Sequence, residues 1–272
     1  MATPRIVFIG AGHMAGSLIG GMIKQGMDSA FIGACDHNPP KLEQLQSHYG
    51  IQVYSDSLSA LNSADVIVLA VKPQVMQALC ETLKQDGDVS GKLFISVAAG
   101  ITCSHLKKWL GDVPIVRCMP NLPAKVGLGV SGLYASVDTN AELRKIAEQT
   151  LECVGAVIWV EKEEGINHII AAAGSAPAYF FLFMDAIQQY AQSLGFSEKD
   201  ARNIVTQTAL GSATLAMSDP GTTLAQMCQN VAVKGGTTAE AVRVFNQADI
   251  HTTVKKAMQA AIERSQQLED QL

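Results

Sequence analysis

Two glycine-bearing segments, near opposite ends of the chain, carry residue types whose spacing points to chemistry. The first is Gly10-Ala11-Gly12-His13-Met14-Ala15, which directly follows the apolar run Ile6-Val7-Phe8-Ile9. In a strand–turn–helix setting Gly10 permits the tight turn, Gly12 lets a pyrophosphate approach the backbone, and Ala15 keeps the helix close to the strand. The free N–H groups of the helix start then face the phosphates, which makes this a dinucleotide site. The second segment is Gly235-Gly236-Thr237-Thr238, ahead of Ala239-Glu240-Ala241-Val242. Glycines leading into a helix present converging N–H donors, which suits a substrate carboxylate. The structural alternative is a plain helix start capped by Thr237 or Thr238.

Three further segments end apolar runs. Asp36 closes Phe31–Cys35, where the adenosine ribose of a dinucleotide would lie. A carboxylate there accepts hydrogen bonds from both ribose hydroxyls and repels a 2′-phosphate, which favours NAD. His37 offsets part of that repulsion, so the choice between NADPH and NADH stays open, and Asp-His-Asn-Pro-Pro also reads as a turn. Ala70-Val71-Lys72-Pro73 and Ala98-Ala99-Gly100 end two later runs, where strand ends would face the ligand crevice. Their small residues leave room for a flat nicotinamide ring. Pro73 makes a strand exit of this segment, so Lys72 is assigned a backbone role toward the cofactor rather than a catalytic one. His13 points to the phosphates or solvent, and His168 reads as a helix-packing residue. The six cysteines form no Cys-x-x-Cys pair, and no two-His-plus-carboxylate spacing occurs, so no metal site is expected.

The elements that must position these residues follow a strand–helix alternation over the first 160 residues. Strands are expected at Arg5–Ile9, Phe31–Cys35, Asp65–Val71, Leu93–Ala98, Ile115–Cys118, near Val130–Tyr134, and at Ala156–Val160. Helices are expected at Met14–Gln25, Lys41–Tyr49, Val75–Lys84, Thr102–Leu110 and Ala141–Cys153. Near-continuous apolar strands between helices predict a parallel sheet covered on both faces. After Glu161 every segment reads as helical: Ile166–Ala173, Ala178–Leu194, Glu198–Met217, Thr222–Val231, Thr237–Asn246 and Thr252–Gln267. The fold class is therefore α/β, an N-terminal Rossmann-type doubly wound parallel sheet (1–160) with an all-α C-terminal dimerisation and substrate domain (161–272). The tail Gln266–Leu272 is polar and expected to fray.

Bulk properties exclude some classes. A net charge of −5 without a Lys/Arg cluster does not suit nucleic acid. Scattered cysteines and no signal-like start predict a reduced, cytoplasmic setting. Ile166–Ile187 is apolar enough to suggest a membrane, but Gly174-Ser175-Ala176-Pro177 and Asp185 fit a helix buried between protein surfaces better. Ala178–Leu194 carries Tyr179, Phe180, Phe181, Leu182, Phe183 and Met184 together, apolar around its whole circumference. One small helical domain can hardly cover it, so a partner subunit is expected to.

The motifs in order are Phe8-Ile9-Gly10-Ala11-Gly12-His13-Met14, Ala70-Val71-Lys72-Pro73, Ala98-Ala99-Gly100 and Met119-Pro120-Asn121-Leu122-Pro123, then Gly174-Ser175-Ala176-Pro177-Ala178-Tyr179 and Gly235-Gly236-Thr237-Thr238. In this order, and over the whole chain, they resemble the pyrroline-5-carboxylate reductase family. The resemblance implies an oxidoreductase that reduces 1-pyrroline-5-carboxylate to L-proline with NADPH or NADH, the last step of proline biosynthesis. It also implies a homodimer through the C-terminal helices, or a higher ring such as a decamer, with each site built from the cofactor domain of one subunit and helices of its neighbour. Carried over by position, the cofactor contacts are Gly10, Ala11, Gly12, His13, Met14, Val71, Lys72, Ala99 and Asn230, to which the strand-end reading adds Asp36, Ala70, Pro73 and Ala98. The substrate contacts carried over are Glu163, Thr237 and Thr238, with Thr238 as the catalytic residue, and the glycine-turn reading adds Gly236. Glu163 also reads as part of an acidic helix start. The chain departs from the family where Leu122 replaces Thr, Ala176 replaces Gly and Val233-Lys234 replace Ser-Pro, and Ser57 lies where Asn is common.

A threonine hydroxyl is a poor acid at neutral pH. The imine is therefore expected to arrive protonated, with Thr238 orienting its nitrogen and positioning dominating catalysis. Two alternatives remain at this stage. A β-hydroxyacid or other imine dehydrogenase shares the two-domain plan, but the β-hydroxyacid enzymes use a lysine on the helix opening the second domain, and none occurs between Lys162 and Lys199. The other is a non-catalytic NAD(P)-binding sensor.

Overall fold

The computed structural model describes residues 3–271. Its chain divides into two compact units, Met1–Pro177 with Ala261–Leu272, and Ala178–Ala260. The first unit holds an eight-stranded sheet: β1 (Ile6–Ile9), β2 (Ile32–Cys35), β3 (Gln52–Tyr54), β4 (Val66–Leu69), β5 (Leu93–Ser96), β6 (Ile115–Met119), β7 (Gly129–Ala135) and β8 (Gly155–Trp159). Their order across the sheet is β3-β2-β1-β4-β5-β6-β7-β8. Helices α1 (His13–Lys24), α2 (Pro39–Tyr49), α3 (Ser57–Ser63), α4 (Pro73–Asp86), α5 (Cys103–Leu110) and α6 (Ala141–Glu152) lie between the strands in the chain.

Alternation along each strand builds a core on both faces of the sheet. In β1, Ile6 and Phe8 join one apolar cluster with Leu18, Ile19 and Met22 of α1. Val7 and Ile9 join the opposite one with Met76, Cys80 and Leu83 of α4. Neighbouring strands are parallel except at β6 and β7, which run antiparallel. The connection 120–128 is shorter than the roughly dozen residues a parallel crossover needs, so β7 can only return antiparallel.

Two elements escape the sequence reading, β3 and α3, both between Gly50 and Asp65. Strand β3 is three residues long at the sheet edge and none of them is fully buried. Helix α3 is seven residues, held at its start by Asp56, whose carboxylate accepts the Ser59 N–H at 2.8 Å. Elements this short carry too few residues to show a period.

The connection from the sheet to the helical unit is one nearly continuous rod, α7 (Gly165–Ile169), a π-helical turn (Ile170–Gly174) and α8 (Ala176–Ser193). Pro177 is the physical reason for the irregular turn. It has no N–H to give to Ala173 four residues earlier. The Asn121 side chain supplies the missing donor, Nδ2 to the Ala173 carbonyl at 3.0 Å. Its Oδ1 accepts the Val130 N–H at 2.9 Å, and the residue is 6% exposed. Ser175 N–H reaches back to the Ile170 carbonyl at 2.7 Å, an i→i−5 bond. Two sequence motifs, Met119-Pro120-Asn121 and Gly174–Pro177, thus meet in one backbone repair.

Gln266–Asp270 of the polar tail is helical rather than frayed. Helix α12 (Ile250–Asp270) runs on through it, and Glu269 pairs with the buried Arg117 of β6, Nη2 to Oε1 at 2.6 Å. The segments 161–177 and 261–271 thus cluster with the sheet unit. His168, expected to pack, is instead exposed.

The second unit consists of α8 from Ala178 onward, α9 (Glu198–Ser218), α10 (Leu224–Val231), α11 (Thr237–Gln247) and α12 up to Ala260. Phe183 and Phe245 contact within it, with ring centroids 5.7 Å apart. In the single chain the apolar face of α8 stands open: Phe180 is 68% and Leu182 73% exposed. The rod Gly165–Ser193 is long and apolar enough to cross a membrane.

Candidate active site

The strand order reverses at β1, which lies between β2 and β4. Beyond that point the carboxyl ends of four strands stand side by side. Gly10 N–H donates to the Cys35 carbonyl at 2.7 Å, Ala70 N–H to Ile9 at 2.8 Å, and Val97 N–H to Leu69 at 3.1 Å. Open α/β sheets bind ligands in the crevice at such a switch point. Gly10 has φ +106°, and a Cβ there would come within 2.5 Å of the Ala70 carbonyl oxygen, so only glycine fits. Gly12, the N-cap of α1, makes no side-chain cap bond, and a Cβ added to it would meet nothing within 4 Å. The first turn of α1 contains no acid. Open backbone N–H groups above a clear space fit a pyrophosphate.

Asp36 braces this turn. One carboxylate oxygen accepts the Ala11 N–H at 2.7 Å and the other the Asn38 N–H at 2.9 Å. The bond to Asn38 is the turn-forming role read from the sequence; the strut to Ala11 is a long-range contact that reading did not contain. The Cys35 thiol beneath is pushed up to about 11 by burial and by the charges of Asp56 and Asp36. At the same edge, Ala70 and Val71 are half-buried, Lys72 is exposed, and Pro73 opens α4. Ala98 is buried and Ala99 exposed beyond β5, while His13 is exposed and Met14 half-buried on α1.

Glu163 sits in a network that sequence reasoning missed. Its Oε1 accepts the Cys103 N–H at the start of α5 at 2.7 Å and Arg117 Nη1 at 3.2 Å. Arg117 is 1% exposed and also holds Glu269. Glu269 Oε2 accepts Asn167 Nδ2 at 3.2 Å, and Asn167 Oδ1 accepts the Ser265 hydroxyl at 2.6 Å. Burial, then the Glu163 charge, raises the Cys103 thiol to about 12. The available signal was a lone arginine inside the apolar strand Ile115-Val116-Arg117-Cys118-Met119.

The helical unit carries the second glycine turn. Gly235 has φ +79°, and Gly236 N–H bonds the Val233 carbonyl at 3.0 Å. The N-cap of α11 is Gly236, without a side-chain cap bond, so neither threonine caps the helix. Thr237 is exposed and Thr238 half-buried in its first turn. Asn230 is exposed on α10, where its Oδ1 accepts Gln226 Nε2 at 2.9 Å. Among the described residues no group of three or more His, Cys, Asp or Glu side chains converges as a metal site.

A Rossmann-type sheet with an open glycine turn at its switch point, followed by a helical segment, defines an NAD(P)H-dependent oxidoreductase. Residues 163–268 match the family model for pyrroline-5-carboxylate reductase dimerisation, and residues 5–100 match that for NADP oxidoreductase, coenzyme F420-dependent. The chain is 46% identical to pyrroline-5-carboxylate reductase of Vibrio alginolyticus over 99% of both chains. It is 41% identical to that of Pseudomonas aeruginosa over 100% of this chain and 99% of the other. The solved structure of a pyrroline-5-carboxylate reductase from Coxiella burnetii superposes with a TM-score of 0.91 at 37% identity, covering 98% of each chain. This chain belongs to the pyrroline-5-carboxylate reductase family.

Proposed function

We propose that the protein reduces 1-pyrroline-5-carboxylate to L-proline, the last step of proline biosynthesis, using NADPH or NADH. The observation that carries this reading is likeness over 99% of both chains to a reductase of that name. The two glycine turns are the parts such a reaction requires. Gly10, Ala11, Gly12, His13 and Met14 hold the pyrophosphate at the start of α1, with Ala70, Val71, Lys72, Pro73, Ala98 and Ala99 lining the crevice beyond β4 and β5. The bound nicotinamide supplies a hydride.

The remaining work is positioning. The uncapped first turn of α11, with Gly236 and Thr237, receives the substrate carboxylate. Thr238 orients the ring nitrogen of the protonated imine, so that hydride adds to the C=N carbon and the electron pair moves to nitrogen. Glu163 has Oε1 held by Arg117 and the Cys103 N–H. Its Oε2 serves as counter-charge to the iminium. Asn230 contributes to the cofactor side.

The family's dimerisation segment gives the exposed apolar face of α8 its occupant, a second subunit rather than lipid. We further propose that each site joins the cofactor domain of one subunit to helices of its neighbour, that dimers assemble into a ring such as a decamer, and that the enzyme is cytoplasmic. The test is oxidation of NADPH or NADH on addition of 1-pyrroline-5-carboxylate. Thr238→Ala is expected to lower turnover about tenfold or more while leaving dinucleotide affinity intact, the loss of a positioning contact. Dinucleotide binding without oxidation would instead mark a sensor.

A further inference from the structure

The cluster around Arg117 holds more negative charge than positive. The guanidinium gives Nη1 to Glu163 at 3.2 Å and Nη2 to Glu269 at 2.6 Å. Its Nε is buried and has no hydrogen-bond partner among the described residues, so neither carboxylate takes the fork bidentately. One cation is divided between two carboxylates, which leaves a surplus of negative charge. Neighbouring groups feel that surplus. After burial, the Glu163 charge is what raises the Cys103 thiol most, and it outweighs the lowering by Arg117. Tyr134, opposite Arg117 across β6 and β7, is raised by burial and then by Glu163.

The surplus stands at the edge of the crevice. Cys103, whose N–H holds Glu163 Oε1 at 2.7 Å, comes three residues after Gly100 in the Ala98-Ala99-Gly100 segment. The end of α12 presses on the same segment. Gly100 has φ +78°, and a Cβ there would come within 3.3 Å of the Leu268 carbonyl oxygen. Glu269 is fixed from its other side as well. Its Oε2 accepts Asn167 Nδ2 at 3.2 Å, and Asn167, 2% exposed, accepts the Ser265 hydroxyl at 2.6 Å. The two carboxylates therefore differ in what they have left to give. Glu269 uses both oxygens inside the protein, whereas the bonds to Glu163 both fall on Oε1 and its side chain is 24% exposed. With Glu269 uncharged, Arg117 would neutralise Glu163 alone, and little charge would remain for a ligand.

We propose that Glu269 is a positioning residue for the reaction, occupying Arg117 so that Glu163 keeps an unneutralised charge for the iminium. This rests on the reading that Glu163 faces the ring nitrogen of the substrate. The experiment compares two competitive inhibitors. L-Proline carries a protonated ring nitrogen, and cyclopentanecarboxylate has the same ring and carboxylate with carbon in that place. The ratio of their inhibition constants reads the charge that meets the nitrogen, and it does not depend on how much of a variant is folded. In the unaltered protein L-proline should bind about tenfold tighter or better, and Glu163→Gln should remove most of that advantage. Glu269→Gln keeps an oxygen for Arg117 but loses the charge. It should narrow the ratio by about threefold or more through weaker L-proline binding, with kcat/KM for 1-pyrroline-5-carboxylate falling by a like factor. Affinities for cyclopentanecarboxylate and NADPH should stay as they were. A ratio that Glu163→Gln narrows and Glu269→Gln leaves alone would overturn the proposal. Equal weakening of both inhibitors by Glu269→Gln would overturn it too, because a merely structural clasp acts without regard to charge. A ratio insensitive to Glu163→Gln would instead defeat the reading of Glu163 as the counter-charge.

Discussion

Replacing Asn121 by alanine tests the account of the break at Pro177. The side chain is 6% exposed and makes two bonds to backbone, one to the Ala173 carbonyl and one from the Val130 N–H. Removing it strands both groups. An unpaired buried backbone group costs about 1–3 kcal/mol, so with two of them Asn121→Ala should destabilise by about 2–6 kcal/mol. Ala173 is half-buried, and water reaching its carbonyl favours the lower end. The decisive comparison is with Pro177→Ala, which restores an N–H four residues after Ala173. In that background the carbonyl regains a backbone donor, and Asn121→Ala should lose only its bond to Val130. The penalty should shrink by about 1–2 kcal/mol. Urea midpoints of the four proteins give the coupling directly. Additivity within about 0.5 kcal/mol would refute the idea that Asn121 stands in for the proline's missing donor.

Two other outcomes follow from buried charge. Arg117→Met leaves Glu163 and Glu269 without their cation, and should destabilise by about 3 kcal/mol in chemical denaturation; adding Glu163→Gln and Glu269→Gln should recover part of the loss. Alkaline pH should weaken the fold. Burial raises the thiols of Cys35 to about 11 and of Cys80 and Cys103 to about 12, from an ordinary value of 9.0. Above pH 9 the unfolded chain loses these protons while the folded one keeps them, so rising pH favours unfolding until the folded values are passed. Each thiol should cost about 1 kcal/mol by pH 10. Urea midpoints at pH 8 and pH 10 measure this, and Cys80→Ala should flatten the dependence by one such share.

Much of the protein is decided locally, and those parts are legible in the sequence. A glycine at +106° between a strand and a helix, a threonine capping α5, and apolar runs long enough to be buried twice all act over a few residues. They mark the Rossmann half, the change to helices after Val160, and the two glycine turns. What escapes that reading is too short to show a period, or depends on a connection's length or on partners distant in the chain. The short elements β3 and α3 are held by neighbours more than by propensity. The antiparallel return of β7 follows from the length of a loop.

The polar side chains show the same division. Arg117 meets Glu269 across 152 residues, Asn121 meets Ala173 across 52, and Asp36 meets Ala11 across 25. A buried donor or acceptor must find a partner, but its own segment does not name which one. Residue types and spacing therefore determined that this chain has a glycine turn after β1 and a second one ahead of α11. The tertiary structure alone decided that the frayed-looking tail is clasped by a buried arginine, and that the carboxylate after β2, read from sequence as a ribose contact or a turn former, is also a strut to the Ala11 N–H.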